Sequence, residues 1–279
     1  MIVATLQSGT ISREEFKVLP YLDRRLYEKT ARTRFSSLDT NIKTNHPDFD
    51  LRLKVNAQLR ETVDFYLKQN RKYLENEKKI KVIELGASLG AISSLYVLDS
   101  LYKTGLVDKV ELTLLDICLE PLQRTKKIDF DISRVHGKAG FAIPVEKLRK
   151  ILQYARIVKG NSLETNLPNN VYNISLAAFT HHHLNIFDKK LACKELERIT
   201  AQNGGIVVGD LTFSYKEFVE WLRKHRTEHN SMGKGVLYAI ESFVTLEQHK
   251  SFFRSSFLLL KRSGHQHYVF SMMKRGENV

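Results

Sequence analysis

Short apolar segments alternate with amphipathic helical segments along most of the chain. Residues 80–85 (IKVIEL) are typical of a buried strand, and residues 89–105 follow with helical spacing. Such alternation predicts a parallel sheet with helices on both faces. Further strands are expected at 109–117, 156–163, 171–179 and 205–211, and further helices at 51–74, 119–128, 144–155, 187–205, 215–229 and 245–253.

The last two predicted strands, residues 255–264 and 267–275, are joined by a very short loop. We therefore expect them to pair as an antiparallel hairpin. The predicted fold is a Rossmann-like α/β sheet of seven strands, mostly parallel, with a C-terminal antiparallel hairpin. In sheets of this kind, ligands bind beyond the carboxyl ends of the parallel strands.

The first predicted strand runs into a glycine-containing loop, KVIELGASLG, at residues 81–90. A dinucleotide fingerprint needs three glycines as G-x-G-x-x-G, and a P-loop needs a lysine followed by serine or threonine. This loop has only Gly86 and Gly90, and no lysine follows them. Glu84 would also repel a phosphate. The loop is better suited to a ligand that carries a cationic amino group.

The loop resembles the first motif of the class I S-adenosylmethionine-dependent methyltransferases, in which an acid and three glycines follow the first strand. Glu84, Gly86, Ser88 and Gly90 stand in those places, so a serine replaces the middle glycine. The resemblance implies S-adenosyl-L-methionine as cofactor and S-adenosyl-L-homocysteine as product. It places the backbone at Gly86 and Ala87 against the methionine part. Glu84 would act on the amino group directly, through water, or by ordering the loop.

Further segments continue this resemblance, which covers about residues 51–279. Asp116 ends the second strand, where the family has an acid that accepts hydrogen bonds from both ribose hydroxyls, and Ile117 would pack on the adenine. A carboxylate suits that role because each of its oxygens can accept a donor. Asn161 stands where the family commonly has an aspartate near the adenine amino group. The implied cofactor-binding residues are Glu84, Gly86, Ala87, Ser88, Gly90, Asp116, Ile117, Asn161, Ser162 and Ala178.

Three adjacent histidines, His181, His182 and His183, follow the fourth predicted strand. An imidazole titrates near neutral pH, so each is a candidate base for an acceptor that must lose a proton, with His182 the first choice. The alternative is that they pack the loop against the next helix. No metal site is expected, because neighbouring side chains point to different sides and no acid or cysteine completes the set nearby.

The N-terminal segment, residues 1–50, is polar and is predicted to form one or two short helices. The resemblance implies that such a segment closes over the cofactor as a lid. Its candidate substrate-facing residues are Tyr21, Arg25 and Tyr27. An alternative for arginine in this segment is ordinary surface charge.

The remaining chain, residues 51–279, is expected to form the methyltransferase domain. A basic insertion at about 124–156 and a segment at about 212–247 are candidates for a cap over the site. Asp210 ends the fifth predicted strand, where it either orients the substrate or caps the next element.

The formal net charge is +13, and residues 124–159 hold ten lysines or arginines against three acids, which is more than half of the excess. One interpretation is a set of solvated helix surfaces. The other is an attractor for an acidic substrate or for RNA, because lysine and arginine contacts to phosphates supply most sequence-independent affinity.

Composition is that of an ordinary globular protein, with 42% apolar and 27% charged residues. No apolar run approaches the roughly 20 residues that cross a bilayer, and the N-terminus lacks the pattern of a secretory signal. The two cysteines form no disulfide framework. These features predict a cytoplasmic protein without a membrane partner.

The predicted function is methyl transfer to an oxygen or nitrogen atom of a small molecule or a peptide-like natural product. The chain has no Asn-Pro-Pro-Tyr segment, which the adenine and glutamine amino methyltransferases use, and no RNA-recognition signature. Two alternatives remain. One is an RNA methyltransferase that uses residues 124–159, and the other is a cofactor-binding protein without catalysis.

Overall fold

The computed structural model describes residues 5–6, 9–10, 42, 47–184, 186–211, 246–263 and 267–274. Near the N-terminus, Thr5–Leu6 (β1) and Gly9–Thr10 (β2) form a small antiparallel hairpin that the sequence patterns did not predict. Within the described ranges, no helix is both long enough and apolar enough to cross a lipid bilayer.

One sheet of seven strands forms the centre of the described structure. The strands are β3 (Ile80–Leu85), β4 (Val110–Asp116), β5 (Arg156–Lys159), β6 (Tyr172–Ala178), β7 (Thr200–Leu211), β8 (Ser256–Ser263) and β9 (His267–Met273). Their order is β5-β4-β3-β6-β7-β9-β8. Strand β9 lies between β7 and β8 and runs antiparallel to both, while the other neighbours are parallel. The predicted α/β fold with a C-terminal antiparallel hairpin is thus confirmed.

Helices connect the strands along the described chain. They are α1 (Pro47–Asn76), α2 (Ile92–Lys103), α3 (Leu119–Lys126), α4 (Ile132–Ala139), α5 (Val145–Tyr154), α6 (Ile186–Ile199) and α7 (Leu246–Lys250). Helix α4 lies within the stretch interpreted as a basic insertion, where no separate helix was predicted. The helix predicted over residues 215–229 lies outside the described residues.

Helix α1 packs on α2 and on strands β7, β8 and β9. Val55, Leu59 and Val63 recur at a spacing of four residues and are buried, as the helical pattern predicts. Each side chain of this size contributes about 1.5–3 kcal/mol when fully buried. The buried Tyr66 hydroxyl also lies 2.9 Å from the carbonyl oxygen of Asn203, which attaches α1 to the sheet.

Helix α6 ends at Ile199, although the sequence pattern predicted that it continues to residue 205. Thr200 already pairs with Tyr172 of β6, and its hydroxyl donates to the carbonyl of Leu196 at 2.5 Å. This bond satisfies a carbonyl at the helix end, so the chain enters β7 earlier than the glycines indicate.

Four parallel strands end together at one edge of the sheet. Leu85 of β3 is paired with both Leu115 of β4 and Ala177 of β6, and Ala178 is paired with Gly209 of β7. The loops that follow β3, β4, β6 and β7 therefore start side by side. This edge is where a ligand is expected in a sheet of this type.

Candidate functional site

The loop after β3 has an unusual backbone. Gly86 and Gly90 have φ of 71° and 83°, and Ala91 has φ of 44°. Ser88 has φ of 52° and ψ of −162°, a combination that is essentially reserved for glycine. Serine therefore replaces the motif's middle glycine in sequence while the backbone keeps the glycine conformation.

Gly86 is closely approached by Thr180, which follows β6. A Cβ atom at Gly86 would lie 2.4 Å from the Thr180 hydroxyl oxygen, so a side chain at this position has no room. The Thr180 hydroxyl also lies 3.0 Å from the carbonyl oxygen of Ala178. The sequence pattern identified Gly86 but not Thr180, because their contact joins loops 94 residues apart in the chain.

The loop is also attached to β4 by its backbone. The amides of Gly86 and Ala87 both donate to the carbonyl of Leu115, at 2.8 and 3.1 Å. The amide of Gly90 donates to the Thr125 hydroxyl at 2.7 Å. The turn from Gly86 to Gly90 is therefore hydrogen-bonded to both β4 and α3.

Glu84 is buried near the end of β3, and its Oε2 accepts two hydrogen bonds from Ser94 in the first turn of α2. The donors are the Ser94 amide at 3.0 Å and its hydroxyl at 2.5 Å. Burial raises the pKa of Glu84 to about 7, and the bonds from Ser94 oppose that rise. Of the three roles considered for Glu84, this geometry supports the ordering of the loop and helix.

Asp116 ends β4, and its carboxylate is hydrogen-bonded to the loop after β3 and to the loop after β4. Its Oδ2 accepts from the amide of Ser88 at 3.0 Å, and its Oδ1 accepts from the amide of Cys118 at 2.9 Å. The carboxylate is buried, which raises its pKa, while these bonds act in the opposite direction. Each carboxylate oxygen has a second lone pair, so the group can also accept donors from a ligand.

The other predicted cofactor residues lie around this edge. Ile117 is partly buried against Cys118, and Ala178 is buried at the end of β6. Asn161 and Ser162 are half-buried after β5. The Asn161 side-chain oxygen accepts a hydrogen bond from the amide of Leu163 at 3.0 Å. One lone pair of this oxygen is therefore already used within the local turn.

Phe179 is a further residue of this edge that the sequence patterns did not identify. Its φ is 53°, which is uncommon for a bulky residue, and its amide donates to the carbonyl of Gly209 at 2.8 Å. The Arg52 guanidinium carbon lies 5.2 Å from the centre of its ring. Helix α1 therefore brings a cation beside the loop that follows β6.

His182 and Asp210 form a buried pair between the ends of β6 and β7. His182 Nδ1 lies 2.6 Å from Asp210 Oδ1. Burial by itself would raise the pKa of Asp210, but the nearby His182, His181 and Lys189 together lower it below its usual value. The sequence placed both residues at strand ends, and the structure brings them into contact.

His181 faces a different set of partners. Its Nδ1 lies 2.9 Å from His249 Nε2 and 4.0 Å from Cys193 Sγ. The divergence of His181 and His182 agrees with the expectation that adjacent side chains point to different sides. The expectation that no cysteine stands nearby is wrong in three dimensions, because α6 brings Cys193 to His181.

Tyr21, Arg25 and Tyr27 lie outside the described residues, as does most of the 212–247 segment. The backbone of His183 belongs to the short 3₁₀ turn His181–His183, but its side chain lies outside the described part.

The basic stretch forms the crossover from β4 to β5 and contains α4 and α5. Leu148 and Leu152 of α5 are buried in the core. Several of its cations form ion pairs: Arg124 with Asp129, Lys138 with Asp50, Lys147 with Asp108, and Arg149 with Glu146. These pairs support the interpretation as solvated helix surfaces.

No protein-family model matches the chain, and no curated protein matches it in sequence. Solved structures do match. A geranyl diphosphate methyltransferase in complex with SAM has a TM-score of 0.51 and 9% identity, with 78% of this chain and 85% of that chain covered. N-methyltransferase NodS from Bradyrhizobium japonicum WM9 has a TM-score of 0.43 and 10% identity, with 76% and 94% covered.

An O-methyltransferase family protein from Burkholderia thailandensis has a TM-score of 0.47 and 9% identity, with 78% of this chain and 59% of that chain covered. At 9% identity, the likeness to the geranyl diphosphate methyltransferase shows the fold alone. The chain therefore has the fold of the class I S-adenosylmethionine-dependent methyltransferases, the family that its loop motifs resemble.

Proposed function

We propose that this protein transfers a methyl group from S-adenosyl-L-methionine to an oxygen or nitrogen atom of a small molecule or peptide-like natural product. One observation carries the proposal. The Asp116 carboxylate accepts a hydrogen bond from the amide of Ser88, so the acid that ends β4 contacts the glycine loop after β3. Both elements lie at the carboxyl edge of the sheet, where ligands bind in this fold.

The residues at this edge fit the proposed cofactor. The tight turn at Gly86 would present its backbone to the methionine part, and the second lone pairs of the Asp116 oxygens would accept the two ribose hydroxyls. Ile117, Asn161, Ser162 and Ala178 would surround the adenine. When bound, this cofactor supplies a methyl group on a sulfonium, which is activated enough for displacement without a metal.

His182 is the proposed base. The bond from Nδ1 to Asp210 Oδ1 fixes the orientation of the ring, so the proposal assigns proton transfer from the acceptor to Nε2. General bases contribute about 10²–10⁴-fold to rate when they are correctly placed. His181 and His183 are secondary candidates, and His181 is less suited because its Nδ1 bonds to His249.

A small acceptor fits better than a polymer. His182 is 7% exposed and Asp210 is 1% exposed, so the proposed base lies in an enclosed region. Residues 1–50, with Tyr21, Arg25 and Tyr27, and residues 212–247 are proposed to cap the methyltransferase domain of residues 51–279. The two buried free cysteines are compatible with a reducing cytoplasmic location.

Calorimetric titration with S-adenosyl-L-homocysteine tests the cofactor site. Asp116→Ala should weaken binding by about tenfold or more for each bond lost, because a hydrogen bond to a charged group contributes about 1.5–3 kcal/mol. Asp108→Ala, at a side chain that is 79% exposed, is the matched control and should bind normally. Equal affinity in both variants, or no binding by the parent, would contradict the proposal.

Incubation of the protein with methyl-labelled cofactor and fractionated metabolite extract tests the reaction. Label should appear in a small-molecule fraction. Label in RNA would favour the nucleic-acid alternative, and cofactor binding without transfer to any fraction would favour a binding protein without catalysis.

A further inference from the structure

A second group of ionisable side chains includes His181, the neighbour of His182 in the chain. It consists of His181, Cys193 and His249, all of which are buried. One potential ligand atom of each lies within 4.8 Å of the other two. The three residues come from the turn after β6, from α6 and from α7, so the cluster exists only in the folded chain.

Two of the three separations between these atoms are close to those in a metal centre, and the third lies within 4.8 Å. A tetrahedral zinc ion holds nitrogen at about 2.0–2.1 Å and sulfur at about 2.3 Å, which separates neighbouring ligand atoms by about 3.3–3.6 Å. His181 Nδ1 lies 2.9 Å from His249 Nε2 and 4.0 Å from Cys193 Sγ. Shifts of about half an ångström would bring both of these separations to the zinc values.

We propose that His181 Nδ1, His249 Nε2 and Cys193 Sγ bind a zinc ion. Imidazole nitrogen and thiolate sulfur are the ligand types that zinc prefers. The three side chains fill three positions of a tetrahedron, and the fourth is assigned to a small oxygen donor such as water. The site goes beyond the proposed methyl transfer and does not depend on it.

Groups around the cluster support this assignment. The other ring nitrogen of His249, Nδ1, is hydrogen-bonded to the buried Tyr268 hydroxyl. Metal-bound histidines commonly have such a partner, which fixes the ring and its tautomer. The corresponding nitrogen of His181, Nε2, is buried without a hydrogen-bond partner among the described residues, so this ring has no such partner there.

Charge near the site acts in both directions. Binding of zinc exchanges the thiol proton of Cys193 for the metal, so a thiolate and one proton result. The Asp210 carboxylate lies near enough to influence both histidines and the thiol, and it adds a second negative charge. The buried Lys189 amine opposes the ion, but it donates to the carbonyls of His181 and Leu184, each at 2.5 Å.

The consequence of the site would be structural. Zinc would join α7, which begins at the end of the 212–247 segment, to the turn that carries His182. The chain on either side of the proposed cap would then be attached to the same edge of the sheet.

Metal analysis of the full-length protein tests the site directly. The protein purified without chelator should contain about one zinc per chain. After removal of the metal, Co²⁺ should bind with one-to-one stoichiometry and give cobalt–thiolate charge-transfer absorption together with tetrahedral d–d bands. Absence of zinc after purification, together with no Co²⁺ or Zn²⁺ binding by the metal-free protein, would overturn the proposal.

Two variants locate the bound ion. Cys193→Ser should abolish the charge-transfer band, and His249→Gln should weaken Zn²⁺ binding by more than about 100-fold, since groups that only orient a ligand already contribute about 10–100-fold. Cys118→Ser and His136→Gln, at a cysteine and a histidine outside the cluster, are the controls and should bind normally.

If a cluster variant fails to fold, the spectra of the parent protein and of Cys118→Ser still decide the question. The chain has only two cysteines, so a cobalt–thiolate band that is present in the parent and retained in Cys118→Ser can arise only from Cys193. A band lost in Cys118→Ser would place the ion elsewhere. Cofactor titration on the zinc-loaded and metal-free protein separates this outcome from that of the proposed methyl transfer.

Discussion

His182 Nδ1 lies 2.6 Å from Asp210 Oδ1, and this contact joins the chain just after β6 to the end of β7. Both residues are buried, so the pair is held away from bulk water. An imidazole oriented by a carboxylate in this way is suited to accept a proton at its other nitrogen.

The first prediction concerns this pair. His182→Ala should lower the rate of methyl transfer by about 10²–10⁴-fold, while the affinity for S-adenosyl-L-homocysteine stays unchanged. Asp210→Asn should lower the rate less, because the imidazole remains, and should change the pH profile, because the substitution removes the buried negative charge beside the ring. Steady-state assays with labelled cofactor measure both. Unchanged rates in both variants would show that the pair only packs the loop.

The second prediction concerns Ser88, whose φ of 52° and ψ of −162° suit glycine. Ser88→Gly should raise the free energy of unfolding by about 1–3 kcal/mol, because it removes that backbone strain. Ser133→Gly, in the regular helix α4, is the control and should lower the free energy of unfolding by about 0.5 kcal/mol. Urea unfolding measures both, and destabilisation by Ser88→Gly would contradict the assigned backbone.

The third prediction concerns the contact of Gly86 with Thr180. Gly86→Ala should destabilise the protein strongly, because the new Cβ would lie 2.4 Å from the Thr180 hydroxyl oxygen at a φ of 71°. Thr180→Ala removes the clashing atoms but not the backbone strain, so the double variant should recover part of the loss. A double-mutant cycle measures the coupling, which should be about 0.5–3 kcal/mol. Strictly additive effects would exclude the contact.

The fourth prediction concerns the pH dependence that Glu84 imposes. Burial raises its pKa to about 7, above the ordinary value of 4.5, so the folded state holds a proton that the unfolded state releases. Its contribution to stability is therefore complete below about pH 4.5 and is lost as pH rises through 7.

The variant Glu84→Gln isolates this contribution. The free energy of unfolding of the parent should fall relative to the variant between about pH 4.5 and 7, with a slope of at most about 1.4 kcal/mol per pH unit. Denaturant unfolding at several pH values measures the difference. Parallel curves for the two proteins would show that Glu84 titrates normally.

The sequence by itself determined the class of fold and the approximate positions of the seven strands of the central sheet, with residues such as Glu84, Asp116 and Asp210 at or near strand ends. Hydrophobic periodicity, glycine turns and short loops are local signals, and they are sufficient for this because each strand must bury its own apolar side chains. The end of α6 was mispredicted because local signals do not include the pairing of Thr200 with β6, which stops the helix.

Only the tertiary structure decided which side chains meet. The bonds from Ser94 to Glu84, the packing of Thr180 on Gly86 and the approach of Cys193 to His181 each join separate elements. Such contacts depend on strand order and on the rotation of each helix about its axis, and no period of a single segment encodes them. The buried cluster around His181 is therefore visible only after the chain has folded.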